Sequence, residues 1–302
     1  MITECSLALI KNKYKFLYSL RSKYPYLNFY EFPGGTIEHN ENPEDALLRE
    51  CFEELDIKII SYKKIMNITH CYKHMNIKLH IYEIIEYDRN IYPKENQKIL
   101  YLDALKSNEK FIESTYRILN ILSLPRYLKI VSNNDTSISN NLFSNTYPSS
   151  TIRLRSSGFL KDDYINQASI YSKICLKNNT RLILDAKYIN YYENIKYQGI
   201  HFTSQELKTL DADKFIRSKL LTYSASCHNK KEIDLANRLN LDFILLSPIM
   251  ISKYNHPIGW NKFKDLALEA NMPVFALGGI HPSDLKACMS NYGYGVAGMS
   301  KF

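Results

Sequence analysis

Between residues 127 and 297 the chain passes repeatedly through short β-prone stretches: Tyr127 to Val131, Thr151 to Arg155, Arg181 to Asp185, Gly199 to Phe202, Leu220 to Ser226, Phe243 to Ser247, Val274 to Leu277 and Gly295 to Ala297. Helical segments fit between them, notably Asp163 to Lys173, Lys230 to Leu239, Trp260 to Ala270 and Pro282 to Met289. Parallel strands require crossovers of this kind, and eight such strands predict a compact (β/α)8 TIM-type barrel. An open doubly wound sheet is the competing arrangement. Phe302 follows Gly298 closely, leaving little room for a last barrel helix, so closure of the barrel by the first domain is expected.

The first part of the chain follows another pattern. Residues 3 to 10 and Lys15 to Leu20 are strand-like, with a turn at Asn12-Lys13, and Ile59 to Met66 and Ile77 to Ile85 alternate as strands do. Between them lies the Gly34-Gly35 turn, then Asn42 as an N-cap and Pro43 where a helix can begin. Ala46, Leu47, Cys51 and Leu55 give that helix an apolar stripe, while Glu50, Glu53 and Glu54 recur on another face.

Three glutamates so placed repel one another, and a cation would offset the repulsion. Hard oxygen ligands indicate magnesium or manganese rather than zinc. The ordinary reading of any three helical glutamates is a solvated acidic face. Arg49 can reach Glu41 across the turn and hold the loop to the helix. The order of elements predicts a mixed α/β sandwich over residues 1–124, its last helix running from Glu109 to Leu124. Pro125 breaks that pattern, and the second domain is assigned to residues 125–302.

A length of 302 residues accommodates two cores. The net charge of +8 is spread through a Lys-, Asn-, Ile- and Tyr-rich chain, with no zinc-finger spacing or arginine-rich tail, so no stable nucleic-acid partner is expected. The six cysteines are scattered without a CxxC pair, which suits a reducing compartment and a cytoplasmic protein. The apolar run Cys5 to Ile10 is too short to span a membrane. Oligomeric state is not readable from the sequence.

Gly35, five residues, Glu41, seven residues, Arg49-Glu50, Cys51, one residue, Glu53-Glu54 and then Ile57 resembles a Nudix box, with Asp56 in place of the usual glycine near its end. The resemblance is to the mutator-type hydrolases, and it implies a Nudix α/β/α sandwich and Mg2+-dependent (or Mn2+-dependent) cleavage of nucleoside triphosphates, oxidised dGTP leading, to monophosphate and pyrophosphate. By the same resemblance Gly34, Glu50, Glu53, Glu54 and Glu95 are metal ligands, and Glu53 or Glu95 is the base that activates water. Arg49 and Glu41 belong to the catalytic set, and Arg21, Lys23, Ser114 and Thr115 are the candidate substrate contacts. The asparagine that reads the base in oxidised-guanine hydrolases has no counterpart in Glu113-Ser114-Thr115.

The second half resembles thiamine-phosphate synthase through Gly199-Ile200-His201-Phe202, Ser226-Cys227-His228, Ser247-Pro248-Ile249, Ala276-Leu277-Gly278-Gly279-Ile280 and Gly295-Val296-Ala297-Gly298. It implies a phosphate site at Ser226, Gly279, Gly298 and Arg155 and a thiamine-type phosphate as ligand. A glutamine-arginine-lysine set becomes Arg153, Arg155 and Ser157; an asparagine-aspartate pair becomes Leu184-Asp185; and the second metal-site aspartate becomes Glu206, leaving Asp185 and Glu206 as a candidate second metal site. Cys227 and His228 raise the question of a nucleophile, but no third residue supports one. The whole resembles bacterial fusions of the two domains. Synthase activity and a non-catalytic, phosphometabolite-binding regulatory barrel are the alternatives to nucleotide hydrolysis.

Overall fold

The computed structural model describes residues 2–72, 75–94, 98–104, 106–133, 151–218, 220–250, 256–299 and 302. It divides into two compact units, Met1–Ser123 and Leu124–Phe302.

In the first unit, strand β1 (Ile2–Leu9) runs parallel to β7 (Asn76–Tyr87) and antiparallel to β5 (Gly34–Thr36), and β6 (Ile59–Cys71) pairs with β7. A second, antiparallel sheet joins β2 (Lys11–Asn12), β3 (Lys15–Leu20) and β4 (Tyr30–Glu31), with β8 (Ile99–Leu102) on β3. Helix α1 (Pro43–Leu55) packs on β1 and β5, burying Leu47, Cys51 and Leu55 with Ala8 and Tyr82. Side chains alternate along a strand. Ser6, whose hydroxyl bonds the Pro43 carbonyl at 2.5 Å, therefore faces α1, whereas Cys5 and Leu7 face a pocket on the other side.

Helix α2 (Glu113–Leu122) starts later than the apolar periodicity predicts. The Tyr30 amide donates to the Lys110 carbonyl at 2.7 Å and the Ile112 amide to the Tyr30 carbonyl at 3.1 Å, which holds residues 110–112 extended against β4. Tertiary pairing outweighs helix propensity there.

The second unit is a closed parallel barrel of β9 (Tyr127–Val131), β10 (Thr151–Leu154), β11 (Arg181–Asp185), β12 (Gly199–Phe202), β13 (Thr222–Cys227), β14 (Phe243–Leu246), β15 (Val274–Ala276) and β16 (Gly295–Gly298). Around it lie α3 (Lys161–Lys177), α4 (Ser204–Thr209), α5 (Lys230–Arg238), α6 (Gly259–Glu269) and α7 (Leu285–Ser290). Alternation divides each strand: Ile152, Leu154, Leu182, Leu184, Ile200 and Phe202 join the apolar layer under the helices, and Arg153, Asp185 and His201 turn inward.

Closure differs from the expectation that the first domain would complete the barrel. β16 pairs directly with β9, Val296 opposite Tyr127 and Gly298 opposite Lys129, so the ring is completed by its own strands. Outside this seam, Phe302 packs against the apolar layer and its ring lies on Gly298, where a Cβ would come within 2.3 Å. The Lys129 ammonium donates to the carbonyls of Met299, at 2.6 Å, and Phe302. Among the described residues no helix is long and apolar enough to cross a membrane.

Candidate functional site

Helix α1 is held at both ends. The Asn42 side chain accepts from the Asp45 amide at 2.9 Å, Pro43 opens the first turn, and Asp56 adopts the left-handed C-cap (φ 55°, ψ 34°) without a glycine. With its apolar stripe turned to the sheet, the helix presents its glutamates to β5. Glu54 accepts the Gly34 amide at 3.0 Å. The Glu50 carboxylate sits so close to Gly35 that a Cβ there would lie 2.2 Å from its Oε1, and only glycine fits without a shift.

Arg49 organises the cluster. Its Nε and Nη2 bond the two Glu41 oxygens at 2.9 and 3.0 Å, Nη2 also bonds the Thr36 carbonyl at 3.0 Å, and Nη1 bonds Glu50 at 2.8 Å and Glu53 at 3.1 Å. The Arg49 bonds hold the Glu41 carboxyl below the usual glutamate range. Glu50 is pushed upward, chiefly by burial and further by the Glu53 and Glu41 charges, against the pull of Arg49.

These residues suit a hard divalent cation: three carboxylates share one guanidinium, and Glu50 is partly desolvated beside like charge. Among the described residues no group of three or more His, Cys, Asp or Glu is arranged to hold a metal. Glu50 and Glu53 each give one carboxylate oxygen to Arg49. Glu95 lies outside the described residues.

On the other side of the sheet is a cavity of about 210 Å3, walled by Thr3, Cys5, Leu7, Ile77 and Leu79 and bordered by Gly34, Gly35 and Thr36. It gathers Arg21, Ser114 and Thr115; Lys23 is exposed and lies off its wall. Arg21 Nη1 bonds both Glu31 oxygens, at 2.9 and 2.7 Å, and burial pushes the Glu31 carboxyl up against that ion pair. Tyr26 and Tyr72 stand with ring centroids 5.4 Å apart, and the Tyr72 hydroxyl donates to Ser114 at 2.8 Å. Glu31, Tyr26 and Tyr72 were not legible as pocket residues. No local spacing marks Tyr72, which is 42 positions from its partner Ser114.

In the barrel, Arg153 Nε donates to one Asp185 oxygen at 3.0 Å, with Nη2 ion-paired to the same oxygen at 2.9 Å, and the Ser156 amide and hydroxyl donate to the other at 2.8 and 2.9 Å. Glu206 belongs to a capping box, its Oε2 accepting from the Thr203 amide and hydroxyl at 2.7 and 2.8 Å at the start of α4. Both candidate metal-site carboxylates are thus engaged by protein donors. His201 is fully buried, with Nδ1 2.9 Å from Ser224 Oγ and Nε2 2.9 Å from Ser226 Oγ. Burial, with Arg153 and Arg155 nearby, puts its pKa well below the usual histidine range.

The remaining barrel residues sit at or just after the C-terminal ends of their strands. Arg155 is exposed beyond β10, and Gly278 and Gly279 form a positive-φ turn (98° and 71°) after β15. Gly298 is covered by Phe302. Cys227 is buried and its thiol pushed strongly upward, so it is no thiolate nucleophile; His228 Nδ1 lies 2.7 Å from the Ser247 carbonyl.

Known proteins match the two units separately. The family described as thiamine monophosphate synthase matches residues 141–302, and the NUDIX domain matches residues 5–107. A protein of Aquifex aeolicus provisionally named thiamine-phosphate synthase 2 is 32% identical over 111 residues, 36% of this chain and 59% of the relative. The 8-oxo-dGTP diphosphatase of Buchnera aphidicola subsp. Schizaphis graminum is 36% identical over 100 residues, 32% of this chain and 75% of the relative. The chain therefore spans less than two thirds of the Aquifex protein. Among solved structures, thiamine phosphate pyrophosphorylase from Pyrococcus furiosus aligns with 58% of this chain and 86% of its own at 14% identity, with a TM-score of 0.46.

Proposed function

Since the chain belongs to the thiamine monophosphate synthase family through residues 141–302 and joins to that domain a NUDIX domain at residues 5–107, we propose that its activity is hydrolysis of nucleoside triphosphates to the monophosphate and pyrophosphate, with oxidised dGTP as the leading substrate. One observation carries this reading: the Gly34-Gly35 strand that borders the pocket is in direct contact with the α1 carboxylates, Glu50 against Gly35 and Glu54 on the Gly34 amide. A base in the pocket leaves its phosphates at the acidic face. The similarity to an 8-oxo-dGTP diphosphatase supports the choice of substrate, and the role is sanitation of the nucleotide pool.

Glu50, Glu53 and Glu54, with the Gly34 carbonyl and Glu95, would hold Mg2+ or Mn2+. When bound, the metal offsets diphosphate charge and orients the attacking water. Glu53, exposed at the edge of the cluster, or Glu95 would accept the proton of the attacking water. Arg49 and Glu41 fix the loop against the helix and keep Glu50 aimed at Gly35. Arg21, Ser114 and Thr115 contact the nucleoside. The buried free thiols Cys51, Cys175, Cys227 and Cys288 favour the reducing cytoplasm.

For the barrel, a thiamine-type phosphate near Ser226, Gly279, Gly298 and Arg155 is the proposed ligand. Binding without synthase turnover is favoured by the engagement of Asp185 with Arg153 and Ser156. The hydrolase reading is tested by phosphate-product analysis over a nucleotide panel with Mg2+, comparing 8-oxo-dGTP with dGTP. Selective release of pyrophosphate and 8-oxo-dGMP, lost in Glu53→Gln, is the expected result. No cleavage of any triphosphate would overturn it.

A further inference from the structure

One side of the barrel interior is polar. Arg153 on β10, Asp185 on β11, His201 on β12 and Ser226 on β13 sit on strands that follow one another around the ring. Asp185 is 1% exposed, and each carboxylate oxygen offers two lone pairs. Arg153 Nε donates to one oxygen, with Nη2 2.9 Å away in the same ion pair, and the Ser156 amide and hydroxyl donate to the other, so both oxygens are engaged by buried protein donors. Arg153 is itself 4% exposed, and displacing it from Asp185 would strand a buried guanidinium.

The surroundings add a second argument. His201 is held neutral by burial and by the positive charges of Arg153 and Arg155. A divalent ion at Asp185 would add to that positive potential, and Glu206 turns its Oε2 to the cap of α4.

We propose that the Arg153 guanidinium is a built-in cation that permanently fills the coordination side of Asp185, making the barrel a site that takes its phosphorylated ligand without a divalent metal. With no metal to meet charge on a departing diphosphate, such a site binds phosphate monoesters and does not expel pyrophosphate. The proposal is independent of the hydrolase reading, because it concerns only residues of the barrel.

Mn2+ alone is the probe, and free Mn2+ is counted by electron paramagnetic resonance at pH 8 with the full-length chain. In Glu50→Gln/Glu53→Gln/Glu54→Gln, which leaves every barrel residue intact, no tight site that depends on Asp185 is expected. A tight site that survives in this variant and disappears on adding Asp185→Asn overturns the proposal. Arg153→Gln in the same background should gain one Mn2+ site per chain, since the buried carboxylate then lacks its positively charged partner and keeps only Ser156. If that variant keeps its far-UV circular dichroism and gains no site, Arg153 is not what excludes the ion and the proposal fails. Should Arg153→Gln not fold, the first comparison decides alone.

Discussion

At the scale of single residues, the placement of Glu50 in the candidate hydrolase site depends on Gly35 having no side chain. Gly35→Ala would drive a methyl group into the Glu50 carboxylate. The expected result is a loss of kcat/KM of about 10²-fold, the effect of a misplacement on the order of 1 Å, in steady-state hydrolysis of 8-oxo-dGTP.

Glu50 also predicts a pH dependence. Its pKa is raised above the ordinary 4.5, and cation binding needs the carboxylate, so Mn2+ affinity should fall with decreasing pH in a limb centred above 4.5. For metal-free stability the sign reverses. The folded protein holds the Glu50 proton more tightly than the unfolded chain, so this contribution is present below the unfolded pKa and is lost as pH rises through the folded one. Glu41, lowered by Arg49, acts oppositely: its contribution is present above the unfolded pKa and is lost as pH falls through the folded one. Urea titrations of Glu50→Gln and the parent across this range should show the variant gaining relative stability with rising pH. A constant difference would contradict the assignment.

At the scale of elements, α1 was legible because its signals are local. Asn42, Pro43, the apolar stripe and the αL-tolerant Asp56 lie within or beside the helix they define. Asn42→Ala should therefore cost about 1 kcal/mol, read from the urea midpoint of the first unit. Leu47→Ala, which empties a fully buried position, should cost roughly 2–5 kcal/mol in the same measurement. α2 shows where such reading stops. Its periodicity extends back to Glu109, but the pairing of residues 110–112 with Tyr30 delays the helix to Glu113, and nothing near Glu109 announces a strand partner so far away.

At the scale of the whole molecule, a barrel whose last strand pairs with its first needs no outside element to close it. A fragment of residues 124–302 is expected to fold alone, with a cooperative melt and a dispersed amide spectrum. An unfolded or molten fragment would mean that the seam needs further support. Within the seam, Gly295→Ala would push a Cβ to 2.5 Å from the Arg126 carbonyl and 2.6 Å from the Phe275 ring, an overpacking that should cost about 1–3 kcal/mol in thermal melts.

The sequence alone determined what depends on neighbours along the chain: the strand and helix periods of both halves, the caps of α1, and the spacing that lets Arg49 reach Glu41. Tertiary structure decided what depends on which strands meet, and in what register. Asp185 was readable as a metal-site aspartate, but Arg153, 32 positions away, occupies it because parallel pairing of β10 with β11 brings the two side chains together. Gly298 finds Lys129 for the same reason, and Tyr72 meets Ser114 through tertiary packing 42 positions apart. A side chain's local environment is encoded within a few residues of it, whereas its long-range partner exists only once the backbone hydrogen bonds of the sheet have set the register.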